Sequence, residues 1–220
     1  PDALDLDNRR YLAVSLPDRF RVLVINGEPG QADRDETAAL VMGLRALVPG
    51  GGIEVETIPV YDFHDRRPID YPDFQALILA NVASVPSGQL ERLEAYVEGG
   101  GALLFFLGKQ VLPQEYRERL YRGGEGLYPG PPPQTVAAGA DTGGPLFFGI
   151  EPLPDQRVIQ GWDPQILRRI CFVSRFSRLE LPPDDPDLTV HARFTDREGS
   201  AAVVERRFGR GMVLCIPTSC

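Results

Sequence analysis

Four short polar stretches have residue types able to do chemistry, and each follows a run of apolar residues. They are Asn26, Gly27 and Glu28 after RVLVI; Asn81 after ALILA; Gly108, Lys109 and Gln110 after ALLFFL; and Pro217, Thr218 and Ser219 after MVLCI. A carboxylate, three amides, an ammonium and two hydroxyls can bind a polar ligand or move a proton, provided they share one rim. In an open α/β sheet that rim exists, because ligands sit beyond the C-terminal ends of the strands. Asn26, Gly27, Glu28, Asn81, Gly108, Lys109 and Thr218 are therefore the candidate ligand rim. The competing reading is plain: strand-end loops carry turn residues whatever their role.

Other motifs exclude more than they offer. NGEPG (26–30) has neither GxxxxGK[ST] nor GxGxxG spacing, so it is not a phosphate loop. Asp62, His64 and Asp65 in YDFHD lack the HxH or HExxH spacing of a metal site and read as a solvated loop. His191, in TVHARF, reads as an edge-strand histidine. Trp162 and Phe172 read as packing residues. Glu28 with Asp70 or Asp73 is conceivable as a carboxylate pair, but nothing in the sequence sets their distance. Cys171, Cys215 and Cys220 are odd in number with no CxxC spacing, which argues against a disulfide framework or zinc site. Cys171 and Cys215 sit in apolar runs and read as small buried hydrophobes. The sequence implies no cofactor and no metal.

The elements that must position these residues centre on 75–108. Ala76 to Ala80 is apolar without alternation, as in a strand covered on both faces. Pro86 and Ser87 mark a helix start, with Ser87 able to cap free N–H groups. Leu90, Leu93 and Val97 recur at helical spacing, with Tyr96 beside them and charged residues mostly opposite. Gly99, Gly100 and Gly101 end that helix. Ala102 to Leu107 is a second buried run, and the whole is a βαβ unit. Upstream, Arg21 to Ile25 reads as a strand and Asp35 to Val48 as a helix with Ala39, Leu40, Met42, Leu44 and Leu47 on its apolar face. Ile53 to Val60 reads as another strand, and Tyr61 to Pro72 as a polar loop. Helices between buried strands predict a doubly wound, mostly parallel sheet.

Downstream, Gln114 to Tyr121 is a short charged helix, and residues 123–145 are a Gly/Pro-rich surface loop with little regular structure. Leu146 to Ile150 is apolar, and Pro164 to Ile170 reads as a helical turn. Strands are expected within 171–181, at 189–194 and 201–207, and at 212–216, giving antiparallel C-terminal strands after the turn FGRG. Residues 1–17 read as an edge strand or the end of a preceding module, and 18–220 as the α/β domain. The chain reads as a piece of something longer.

The 220 residues carry a net charge of -8, which argues against a nucleic-acid partner. Lys109 is the single lysine among 23 basic residues, a bias ascribed to genome composition rather than phosphate recognition. Hydrophobic content of 43% suffices for a core. No apolar run approaches about 18 residues, so this segment does not insert directly into a membrane, and no signal peptide is visible.

RVLVINGEPG, ALILANVASVPSGQLERLEAYVEGGGALLFFLG and VVERRFGRGMVLCIPTS resemble the class I glutamine amidotransferase-like fold, which is flavodoxin-like, across roughly 20–218. With LDNRRYLAV, they are more closely similar to the domain found in bacterial membrane proteins combining a BatA-type region with a von Willebrand factor A module. The resemblance implies a bacterial, inner-membrane-anchored parent, on an unspecified side of that membrane. Active amidotransferases hold a cysteine in a sharp turn after a central strand and a histidine past a late strand. Here those positions read Phe106-Leu107-Gly108-Lys109-Gln110 and Ile216-Pro217-Thr218-Ser219, with neither residue present. The expectation is a non-catalytic domain acting in binding or assembly, its partner another protein or neighbouring domains of the same chain. The alternatives are a hydrolase or carbohydrate-active enzyme using Glu28, Asn81 and Lys109, and a structural spacer without a pocket.

Overall fold

Five parallel strands form the centre of the computed structural model, which describes residues 19–30, 35–47, 52–65, 69–131, 134–138, 147–154, 165 and 173–220. The first unit is β1 (Phe20–Asn26), helix α1 (Thr37–Ala46), β2 (Ile53–Pro59), helix α2 (Val60–Asp65) and β3 (Ala76–Ala80). Next come α3 (Ser87–Glu98), β4 (Ala102–Phe106) and a turn of helix α4 (Pro113–Glu115) running into a π-helical segment (Tyr116–Tyr121). A 3₁₀ turn (Arg122–Gly124) follows, and the later elements are strands: β5 (Gln134–Ala137), β6 (Ile150–Pro152), β7 (Arg175–Arg178), β8 (Leu188–Phe194), β9 (Ala201–Phe208) and β10 (Gly211–Ile216).

The main sheet has the order β2-β1-β3-β4-β10-β9-β8-β6. Its β2-β1-β3-β4-β10 part is parallel and the remaining pairings are antiparallel. This is a mixed α/β architecture with an antiparallel C-terminal portion, as the buried runs and the FGRG turn predict. β5 and β7 pair separately as a two-stranded antiparallel ribbon.

Alternation of side chains splits the core between the two faces of the sheet. Leu23, Ile25, Leu77, Leu79, Leu103, Phe105, Val213 and Cys215 belong to one buried cluster, with Leu93 and Val97 of α3. Leu93 and Val97 are fully buried, and burial on that scale contributes about 1.5–3 kcal/mol per large aliphatic side chain. Val22, Val24, Ala76 and Ile78 form another cluster, with Leu40, Val41 and Leu44 of α1 against it. Met42 and Leu47, expected on the apolar face of α1, are instead exposed. The helix is shorter than expected and touches the sheet along a narrower stripe.

Several local expectations are corrected. Residues 60–65 are helix α2 and 71–73 a 3₁₀ turn, rather than one polar loop; Phe63 and Tyr71 are fully buried and hold both segments to the core. Ser87 makes no cap bond, and the N-cap is Pro86. The Ser87 Oγ instead accepts from Arg119 Nη2 at 2.6 Å. Part of the expected surface loop is core: Leu127 and Tyr128 are fully buried, and Gln134–Ala137 is strand β5. Tyr128 stacks edge-on against Tyr116 at 5.2 Å and Phe105 at 5.9 Å. His191 is not on an edge, because β8 lies between β9 and β6. It is buried, with Nε2 at 2.8 Å from Glu205 Oε2. The N-terminal strand, most of the 164–170 turn, Trp162, Cys171 and Phe172 lie outside the described residues.

Candidate functional site

Sheet register explains why polar residues far apart in sequence meet. Asn26 pairs with Ala80, Ala80 with Phe106, and Phe106 with Ile216, so four strands end in one row. The next bonds continue that row: Gly27 N to Ala80 O at 2.8 Å, Asn81 N to Phe106 O at 2.9 Å and Leu107 N to Ile216 O at 3.2 Å. The chain passes from β1 outward to β2 and returns across β1 to β3. The strand order therefore reverses between β1 and β3, where such folds open a crevice.

Asn81 sits in that crevice, 1% exposed, with a left-handed φ of 54°. Asparagine tolerates this conformation better than most residues. The sharp backbone turn at this edge thus follows β3, whereas the amidotransferase-like pattern places it after β4. Asn81 Nδ2 donates to Glu28 Oε2 at 3.1 Å, and Asn81 Oδ1 accepts from Gln110 N at 2.8 Å. Lys109 Nζ lies 2.7 Å from Glu28 Oε1. Glu28 N donates back to Asn26 Oδ1 at 3.0 Å.

Two glycines make room for Asn81. A Cβ on Gly27 would lie 2.0 Å from Asn81 O, and one on Gly108 would lie 2.3 Å from Asn81 Cγ. Asn26, Gly27, Glu28, Asn81, Gly108 and Lys109 therefore converge. Thr218 is nearby in a different role: its Oγ1 donates to the Arg175 carbonyl at 3.0 Å. With Ser177 N donating to Pro217 O at 2.7 Å, it fastens β7 to the end of β10.

A cavity of about 930 Å³ opens on this edge, lined on one side by Glu28, Glu36, Gly108 and Lys109 and by Arg175 and Ser177 of the β5–β7 ribbon. Sequence reasoning missed Glu36 and Arg175. Glu36 follows β1 in a βα loop, so the strand-end rule could have included it. No periodicity announces Arg175, whose place depends on a ribbon that pairs with itself rather than with the main sheet.

The loop before α1 is tied down by Asp35. Its Oδ1 accepts from Thr37 N at 2.8 Å, Thr37 Oγ1 at 2.7 Å and Asn26 Nδ2 at 2.9 Å. This links the buried Asn26 to the start of the helix and fixes Glu36 between them. Among the described residues, Glu36 Oε1 is buried and has no hydrogen-bond partner.

The two glutamates are driven apart electrostatically. The hydrogen bond from Lys109, and then its charge, hold the Glu28 carboxyl below its ordinary value of 4.5. Burial pushes the Glu36 carboxyl above 4.5, and the Glu28 charge adds to that, against the pull of Asn81 and Lys109. Lys109 is correspondingly raised, chiefly by its bond to Glu28.

Neither described cysteine offers a reactive thiolate. Cys215 is fully buried in β10, and burial pushes its thiol far up. The Cys220 thiol is pushed up to about 12, again by burial first. The remaining carboxylate candidates do not join the site. Asp73 pairs with Arg21 at 3.7 Å, at the opposite end of β1 from Glu28. His64 lies in α2, with Nε2 at 3.2 Å from Ser84 O. Among the described residues no group of three or more His, Cys, Asp or Glu could hold a metal.

No family model matches the chain, and no curated relative matches it. Solved structures do share its fold. Cytoplasmic Protein STM3548 from Salmonella typhimurium matches with a TM-score of 0.64 at 13% identity, over 91% of this chain and 88% of that one. A ThuA-like protein from Bacteroides uniformis matches with a TM-score of 0.55 at 15% identity, over 96% and 87%. A beta-galactosidase from a Rahnella species matches with a TM-score of 0.59 at 14% identity, over 90% of this chain but 28% of that one. These likenesses establish a shared fold, compatible with a flavodoxin-like arrangement. They also show it occurring both as most of a chain and as one part of a longer chain.

Proposed function

We propose that this domain is a ligand-binding module on an amidotransferase-like scaffold, working without a thiol nucleophile. The observation that carries the reading is the bridge from Lys109 through Glu28 to Asn81, at 2.7 and 3.1 Å, on the wall of a roomy cavity. Charged groups held by one another are pre-set, so a ligand meets them at little ordering cost. The raised thiols of Cys215 and Cys220 argue against cysteine chemistry at these two described residues, since the thiolate is the nucleophile. The cavity weighs against the spacer reading. Incubation with glutamine should release no ammonia above background. Release that disappears on changing Lys109 or Asn81 would overturn the reading.

The wider proposal places the domain in a bacterial, membrane-anchored, multidomain parent, where binding serves assembly with another protein or with neighbouring domains. Its support is the motif set LDNRRYLAV, RVLVINGEPG and VVERRFGRGMVLCIPTS. No described helix is long and apolar enough to cross a membrane, so the anchor in this proposal belongs to other parts of the parent. A full-length parent without membrane spans would sink it.

A hydrolase acting on carbohydrates is the second reading, and one observation favours it. Glu28 is held down and Glu36 pushed up, and two carboxyls split in this way can divide the base and acid roles. Nitrophenyl glycosides test it: turnover lost in Glu36→Gln would establish it, and no turnover would leave the binding reading standing.

A further inference from the structure

Among the described residues, two charged side chains on the cavity wall keep a polar group unpaired once its internal bonds are counted: one oxygen of Glu36, and the guanidinium of Arg175. Both Glu28 oxygens are engaged, by Lys109 and by Asn81, so the Lys109 charge is answered within the protein. Glu36 Oε1 is buried with no partner. A buried acceptor left unpaired costs free energy that a ligand O–H or N–H can recover. Arg175 also lines the cavity, and no carboxylate pairs with its guanidinium among the described residues. Its backbone does not float, because Thr218 Oγ1 holds its carbonyl and Pro217 O holds Ser177 N. An unpaired guanidinium on an anchored backbone can select a carboxylate or phosphate through its planar fork of donors. The lining also includes Thr135, Ser174, Ser177 and Ser219, all hydroxyl-bearing.

We propose that the cavity receives a polyhydroxylated anion, with its acid group on Arg175 and one hydroxyl donated to Glu36 Oε1. This inference rests on the reading of the cavity as a binding site and names the class of molecule that fills it. An apolar ligand leaves Arg175 and Glu36 both unanswered. A purely cationic ligand answers Glu36 and is repelled by Arg175. A neutral sugar satisfies Glu36 and the hydroxyls but leaves the guanidinium to water. An anion carrying several hydroxyls answers Arg175, Glu36 and the hydroxyl-bearing lining together.

Calorimetry with galacturonate, glucose 6-phosphate and galactose tests this. At least one of the two anions should bind about tenfold or more tighter than galactose, as expected for one charge-assisted hydrogen-bonded pair. Which of the two wins identifies a carboxylate or a phosphate as the acid group. Arg175→Gln should bring the anion down to the level of galactose, with Arg175→Lys in between. Glu36→Ala should weaken anion and neutral sugar alike. Arg175 is exposed, so its variants should unfold at the parent temperature. Galactose binding as well as either anion, unaffected at Arg175, would overturn the inference and leave the cavity a binding site. Failure of all three probes, with unrelated fragments still occupying the cavity in soaked crystals, would also overturn it alone. Failure of all three with an empty cavity would overturn the binding reading as well.

Discussion

Asn81 Nδ2 lies 3.1 Å from Glu28 Oε2, joining two residues 53 positions apart in the chain. The contact exists because β1 and β3 are adjacent and end in register. It also depends on Gly27 and Gly108, which leave Asn81 its space. Gly27→Ala sets a Cβ against backbone atoms, at 2.0 Å from Asn81 O. No side-chain rotation relieves that clash, so a loss of about 1–3 kcal/mol or more is expected. Urea denaturation measures it, and an unchanged midpoint would mean the crevice is looser than described.

Lys109 is the main cause of the lowered Glu28 carboxyl. Lys109→Gln removes both the largest and the coulombic cause of the lowered carboxyl. The Glu28 titration should then move up toward 4.5, as carboxyl-resolved NMR can follow. A Glu28 titration indifferent to Lys109 would break the bridge.

The two glutamates give opposite pH dependences of stability. Glu36 is raised in the folded protein. Its contribution is therefore fully present below the unfolded value of 4.5 and is lost as pH rises through the folded value. Glu28 is lowered; its contribution is present above 4.5 and is lost as pH falls through the folded value. Glu36→Gln should flatten the decline above 4.5 while leaving the acid side intact. Denaturation series over pH check this, and a variant with the parent's profile would contradict it.

Cys215 should be silent toward alkylation. It is fully buried beside Tyr116 and Tyr128, and its thiol is pushed far up by burial. Iodoacetamide followed by peptide mass spectrometry should find Cys215 labelled only after unfolding, since alkylation proceeds through the thiolate. Rapid labelling in the native protein would place a reactive thiol where none is expected.

Much of the parallel sheet was legible because its strands are unbroken apolar runs. Ala76–Ala80 was readable to the residue, since a strand buried on both faces leaves no polar position to blur its ends. The rim was readable through topology: Asn26, Glu28, Asn81 and Lys109 each follow such a run. The Tyr71 and Phe63 segment was not, because single large side chains fasten short irregular pieces without any period. Tyr128 hid in a Gly/Pro-rich stretch for the same reason. Its partners Tyr116 and Phe105 come from distant positions, and only packing unites them. His191 was misplaced because a strand's position within a sheet is set by partners that its own sequence does not record. Glu36 was within reach of the strand-end rule, whereas Arg175 became visible only once the cavity had walls.

Fragment soaking of crystals of this chain is the most direct trial of the strand-end cavity. The expected result is density between Glu36 and Arg175, with the Lys109–Glu28–Asn81 bridge intact in bound and free states. Fragments gathering only at other surfaces, with this cavity empty or its bridge broken, would contradict the binding role.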